Sequence, residues 1–332
     1  METLKSALKS LAYATGVFGY WHRRRNAEAL TVFMFHRVLP KDSEAYAQAE
    51  KEFTFSVEGF GLCLDFIARH YHVVTAVQVH AALNGGASLP TCPALISFDD
   101  GWRDTLAHAY PQLHARQLPA LVFVATEIME SPRPIWWQDM LVRILEQPER
   151  AAALMRELAL PEGRARSRAT DHEVAGKVAA LPLSQRLDLL TALAPQHPAE
   201  RQMLTEVELA TADRRCLEFG AHGHTHAPLT TVAEPLAELR RSHDLLAALQ
   251  PAVATMSFPH GAYTQALLDL TERAGFDLAF TSDATLLDLR TPGKGRRIGR
   301  IHVPENEWTT QHGRISFARL ATFLFFRPQA SS

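Results

Sequence analysis

Short apolar runs recur along this chain, each ends on polar residues of a narrow kind, and helical periods separate one run from the next. Residues 31–35 end at His36, residues 94–98 run into Asp99-Asp100-Gly101, residues 217–221 lead into His222, and residues 255–258 end at Pro259-His260. Residues 120–124, 278–281 and 298–303 have the same strand character. Between them, apolar residues fall at helical spacing over 56–70, 77–83, 104–114, 136–145, 236–249, 264–275 and 315–326. Continuous apolar strands alternating with helices predict an α/β fold around parallel strands, either an open sheet or a barrel. Ligands gather at the carboxyl ends of strands in such folds, which is where these polar clusters fall.

Residues 147–210 break the rhythm. They are rich in Ala, Leu, Arg and Glu, carry Pro148, Pro161, Pro182, Pro195 and Pro198, and read as a helical insertion within a domain spanning 29–326. Arg164, Arg166 and Arg168 make a basic run there, read as a solvated face. Residues 41–51 are polar and loop-like.

Residues 1–28 form a basic amphipathic segment. Leu4, Leu8, Leu11 and Ala12 recur at helical spacing beside Lys5 and Lys9, and Val17, Phe18, Tyr20 and Trp21 run into Arg23-Arg24-Arg25. Such a segment suits a helix packed on the domain, or peripheral contact with an anionic inner membrane or with polysaccharide assembly machinery. An export signal fits less well, because the arginines follow the apolar residues. The expected location is cytoplasmic, peripheral at the inner membrane. The 332-residue chain has 34 Lys+Arg against 36 Asp+Glu, a net charge of -2, which argues against a nucleic-acid partner. Cys63, Cys92 and Cys216 are too few for a disulfide scaffold and lack metal-site spacing.

Candidate chemistry sits in the polar clusters. His222 and His226 are four apart, so a helical turn between them would aim both rings at one metal, with Asp100 as an oxygen ligand. Zinc fits this donor set, and Co, Mn, Ni or Fe accept it as well. Asp99 and Asp100 are adjacent, so extended backbone would point them to opposite sides. That suggests two roles, with Asp100 binding metal and Asp99 polarising a water. Trp102 is placed to wall the site, and Trp102, Trp136 and Trp137 to stack on sugar rings or to anchor the insertion. Pro259 leaves the amide of His260 free to hold an oxyanion. His302, or His36, could protonate a leaving amine. Cys216 reads as buried filling.

The segment Ile96-Ser97-Phe98-Asp99-Asp100-Gly101-Trp102 resembles the first motif of polysaccharide deacetylases with a NodB homology domain. Glu218 to His226, followed by Pro228 and Leu229, resembles the second motif, and Phe258-Pro259-His260-Gly261 the third. The opening Phe33-Met34-Phe35-His36-Arg37-Val38 is similar to the start of a bacterial exopolysaccharide-associated branch. The resemblance implies a distorted (β/α)7 barrel with Asp99 as catalytic base, Asp100, His222 and His226 as metal ligands, and the amide after Pro259 in the oxyanion site. It implies removal of acetyl groups from N-acetylated amino sugars of a cell-surface or lipid-linked poly- or oligosaccharide. An O-acetyl esterase on a sugar, or a non-catalytic carbohydrate-binding or assembly protein, are the alternatives. The chain departs from the family pattern in three places. Ser257 stands where many members have an Arg that orients the base, His260 where many have a Tyr, and Gly299-Arg300-Ile301-His302 only loosely matches the late Leu-x-His motif.

Overall fold

The structure is a computed structural model and describes residues 2–130, 136–161, 167–194, 201–249, 251–290, 297–310 and 315–330. Arg164 and Arg166 of the basic run lie outside the described residues, as do Pro195 and Pro198.

Eight parallel strands build a nearly closed ring: β1 (Ala29–Phe35), β2 (Pro93–Phe98), β3 (Ala120–Val124), β4 (Leu217–Ala221), β5 (Thr255–Ser257), β6 (Leu278–Phe280), β7 (Arg297–Ile298) and β8 (Ile301–His302). Each pairs with the next from β1 to β7, and β8 returns to pair with β1 through Phe33 and Met34. The sequence reads 298–303 as one strand. The structure breaks it at Gly299-Arg300, so that one piece lies on β6 and the other on β1. The α/β barrel is therefore closed by a single stretch of chain that serves both edges of the sheet.

The strands are buried on both faces, which explains their unbroken apolar runs. Alternate residues divide between two cores. Leu30, Val32, Leu95, Leu121, Phe123, Phe280 and Ile298 share one cluster inside the ring, while Phe33, Phe35, Ile96, Phe98, Val122 and Phe219 join the other, toward the surrounding helices. This period of two carries Ser97 and Asp99 of the β2 row to the inner face, and Gly220 and His222 of the β4 row with them. Gly220 is required there. A Cβ on it would run into Thr255 Oγ1 and lie 2.9 Å from both Phe123 Cδ1 and the Thr255 carbonyl oxygen. Gly220→Ala should cost about 1–3 kcal/mol through overpacking, read as a lowered thermal midpoint.

Helices pack around the ring. Glu2–Ala14 (α1) and Val17–Arg25 (α2) precede β1, and Val57–His70 (α3) is capped by Ser56 Oγ accepting from Gly59 N. Trp137–Leu145 (α4), Pro148–Glu157 (α5), Arg168–Ala179 (α6) and Leu183–Leu193 (α7) make up the helical stretch between β3 and β4. Its return passes beside the first motif: Arg103 N donates to Gln202 O, and Leu204 N to Gly101 O. Pro235–Ala247 (α8) follows β4, and Phe317–Phe325 (α9) is the last described helix.

Two local expectations are corrected. Residues 44–48 form a short helix inside the segment read as a loop, started by Ser43 Oγ accepting from Tyr46 N. Residues 105–109 form a π-turn before the α-helix Tyr110–Ala115, where the sequence reads one α-helix from 104. Among the described residues no helix is long and apolar enough to cross a membrane.

Candidate active site and metal centre

His36, Asp99, His222, Pro259 and His302 all fall at or just past the carboxyl ends of their strands, at one mouth of the barrel. Asp100, His222 and His226 are buried, and each offers a ligand atom within 4.8 Å of the others. His226 Nε2 lies 3.2 Å and His222 Nε2 3.5 Å from Asp100 Oδ1. These three side chains could hold a metal ion.

The backbone reaches this arrangement by a route the sequence did not suggest. Residues 222–226 are not helical. The loop turns through left-handed residues at Gly223 (φ 68°) and His226 (φ 55°), and that turn brings the second ring back to the first. Nor do Asp99 and Asp100 diverge. Asp100 has φ 76°, which breaks the strand alternation and leaves both carboxylates facing His222, Asp99 Oδ2 at 3.7 Å from Nε2. Positive φ is uncommon outside glycine, and here Asp100, His226 and His260 (φ 57°) all adopt it around one mouth.

The protonation pattern fits a cation. His222 Nδ1 is 2.9 Å from the Ser257 carbonyl, which only accepts, so Nδ1 carries the proton. Burial lowers the His222 pKa to about 4, outweighing the raising effect of Asp99, so the ring is neutral at pH 7. Its Nε2 lone pair then faces a carboxylate oxygen. Two acceptors pointed at each other repel, and a cation between them resolves the conflict. Burial likewise lowers His226 to about 4, so the neutral ring keeps one nitrogen lone pair. For Asp100, burial works upward, but the His226 hydrogen bond and neighbouring imidazoles hold the carboxyl below its ordinary value. Trp102 Nε1 donates to Asp100 Oδ2 at 2.9 Å, leaving Oδ1 toward the imidazoles.

Asp99 is held by a residue that the sequence analysis did not assign to the site. Arg300 Nη1 and Nη2 lie 2.5 and 2.8 Å from Asp99 Oδ1 and Oδ2, a two-pronged pair with both partners buried. Arg300 Nη2 also donates to Ser257 Oγ at 2.7 Å, and its guanidinium lies over Phe123. Ser257, the position where the motif resemblance leads one to look for an arginine, instead contacts an arginine from the closing strand. Burial works to raise the Asp99 carboxyl, and the Arg300 charge, then His222, brings it below its ordinary value. A buried arginine in an apolar run beside Gly299 is the signal that points to it.

His36 Nε2 is 4.0 Å from Asp99 Oδ2, and its ring is 6.0 Å from that of His302. His302 stacks on Phe53, and burial, then the His36 charge, lowers its pKa to about 4. His260 lies across from His226, ring to ring at 4.6 Å.

Trp102, Trp136 and Trp137 are 5%, 4% and 1% exposed, which favours the anchoring alternative over stacking on a sugar ring. They pack behind the site instead. Trp136 lies 4.8 Å from the His226 ring, and Arg186 of α7 covers Trp137 and donates to the Thr225 carbonyl. Glu238 of α8 accepts from the amides of His224 and Thr225. His224 is tied to Thr126 Oγ1 at 3.1 Å. The histidine loop is thus clamped from three sides. Cys216 is buried, its thiol directed at the Leu118 carbonyl, as expected of filling.

No protein-family model matches the chain, and no curated protein matches it. Solved structures do. The Streptococcus pyogenes deacetylase PplD, in complex with acetate, superposes with a TM-score of 0.55 at 16% identity, over 90% of this chain and 99% of that one. IcaB from Ammonifex degensii gives 0.52 at 18%, over 90% and 98%. A polysaccharide deacetylase from Bacillus cereus gives 0.53 at 12%, over 90% and 69%. The fold is that of the polysaccharide deacetylases. Within this deacetylase fold, Asp99-Asp100 follows β2 and the two histidines follow β4, at the same mouth of the barrel.

Proposed function

We propose that the protein hydrolyses acetyl groups from N-acetylated amino sugars of a cell-surface or lipid-linked poly- or oligosaccharide, with a divalent cation, zinc by preference, held by Asp100, His222 and His226. The observation that carries this reading is the division of labour between adjacent carboxylates. Asp100 faces both neutral imidazoles, while Asp99 is fixed by Arg300 beside them. The deacetylase fold of the solved neighbours, two of which are named as deacetylases, supports the choice of reaction.

A cation bound there supplies Lewis-acid chemistry, polarising the acetyl carbonyl and making water more acidic. The protein's own groups do the rest. Asp99, ionised at neutral pH, takes a proton from the attacking water. Arg300 keeps that carboxylate in one orientation and in its basic form. The amide of His260, in a turn whose Gly261 and Ala262 amides are already spent on Phe258 O and Pro259 O, is placed to donate to the developing oxyanion. The proton taken up by Asp99 leaves toward the departing amine by way of His36 or His302, the latter a neutral ring that must first accept a proton in order to pass one on. The products are acetate and a free amino sugar.

Acetate release from N-acetylhexosamine oligomers tests this directly. Asp99→Asn should lower kcat by about a hundredfold or more, since general-base contributions run at ~10²–10⁴. His302→Ala and His36→Ala identify the proton donor: the one that serves should lose well over ~10-fold. Two mild variants would remove both histidines from the mechanism. Release of acetate only from acetyl esters would replace the amide reading with the ester one.

A further inference from the structure

The amino-terminal helices carry a surface that the site does not use. Of the large hydrophobic side chains exposed among the described residues, Leu8, Leu11, Val17, Tyr20, Trp21 and Phe326 belong to α1, α2 or the residue just past α9, leaving Leu62, Val77 and Val207 scattered elsewhere. They lie on packed elements: α1 and α2 both rest on α9, and Phe326 meets the rings of Phe18 and Trp21 at 5.7 and 5.6 Å. The inner faces of these helices are spent on the body of the protein. His22 is buried between Phe325 and Tyr71, Tyr13 stacks on Phe66, and Arg25 Nη1 and Asn26 Nδ2 both donate to the Phe325 carbonyl. The outward apolar face is therefore held rigidly, and cannot fold back to cover itself.

Charge identifies the occupant. Residues 6–27 contain Lys9, Arg23, Arg24 and Arg25 and no Asp or Glu. Lys9, Arg23 and Arg24 are exposed, and Arg24 lies over the Tyr20 ring with its Nε on the hydroxyl. In a chain with a net charge of -2, this segment is a local cationic excess. Aromatic side chains with polar edges, aliphatic side chains beside them, and arginines around them match the layered chemistry of a bilayer surface: acyl chains below, anionic headgroups above. A protein partner would need its own acidic rim, whereas a phospholipid surface supplies the negative charge across its whole area.

We propose that α1, α2 and Phe326 form a platform that docks the barrel peripherally on an anionic lipid bilayer, with Leu8, Leu11, Tyr20, Trp21 and Phe326 entering the interface and Lys9, Arg23 and Arg24 facing the headgroups. This surface is separate from the metal-binding residues, and the inference stands whether or not the activity proposed above is correct.

Co-sedimentation of the full chain with vesicles tests it, comparing phosphatidylcholine alone with phosphatidylcholine containing phosphatidylglycerol. Binding is expected only to the anionic vesicles, and should fall steeply as salt is raised. The exposed-residue variant Leu11→Ser/Trp21→Ser should weaken binding more than about tenfold, and Arg23→Glu/Arg24→Glu about a hundredfold, both with unchanged melting curves. Equal binding to both vesicle types, or to neither, overturns the proposal. So does a dimer in solution that the same substitutions dissociate, since the platform would then be covered by a second copy of this chain.

Discussion

Arg300→Leu should lower kcat for acetate release by about two to three orders of magnitude and destabilise the protein by about 3–5 kcal/mol. The two losses have one origin. Asp99 and Arg300 are 2% and 0% exposed, so removing the guanidinium strands a carboxylate in a site that water scarcely reaches. Without Arg300 the effect of burial on Asp99 is opposed only by the nearby imidazoles, and its pKa rises. The base then becomes protonated at a higher pH, and the acidic limb of the pH–rate profile should move toward neutrality. The stability difference carries the matching sign. In the parent, the depressed carboxyl contributes stability that is fully present above the unfolded value and lost as pH falls through the folded one. In the variant the raised carboxyl costs stability as pH rises. The gap between the two proteins, measured by denaturant unfolding, should therefore narrow between pH 8 and pH 5. The double variant Arg300→Leu/Asp99→Asn should recover part of the stability and none of the turnover. A single variant with normal turnover and an unmoved pH profile would show that Arg300 merely fills the barrel.

Chelation should abolish acetate release, and zinc should restore it. His222→Ala should fail to recover with zinc and should retain no stoichiometric metal after dialysis. A subtler change separates ligand from support. Trp102→Phe keeps an aromatic ring, though a smaller one, but removes the Nε1 donor to Asp100 Oδ2, so metal affinity by titration calorimetry should fall about 10- to 100-fold, the usual effect of losing a hydrogen bond to a ligand. If chelated protein turns over at the parental rate, or if His222→Ala binds zinc as tightly as the parent, the metal reading fails while the fold stands.

The strands and the polar clusters at their ends were legible because both are local. Residues 120–124 and 217–221 have the predicted strand bounds; the first, buried on both faces, writes its full length in apolar residues, and the second is interrupted only at half-buried Glu218. The grouping of Asp100 with His222 and His226 is also legible in the spacing, though the backbone achieves it differently. The four-residue spacing suggests a helical turn, whereas left-handed backbone at Gly223 and His226 does the work, and such φ values leave little trace at a histidine. Arg300 was missed because its partner Asp99 lies 201 positions away, and because the apolar flanks Ile298 and Ile301 suggested an unbroken strand. Arg186 was invisible for a similar reason: it belongs to the helical stretch between β3 and β4, whose helices have few sequence constraints beyond amphipathicity, yet it reaches the backbone of the histidine loop.

The stretch from Arg297 to His302 links the last edge of the sheet to the first, and Arg300 sits at the gap between its two halves. An unclosed ring therefore has no means of fixing Asp99, so a nascent or frayed molecule is chemically silent even with every other element in place. Seam opening on heating should consequently extinguish turnover before the helices melt, making enzymatic inactivation a more sensitive reporter of local fraying than circular dichroism.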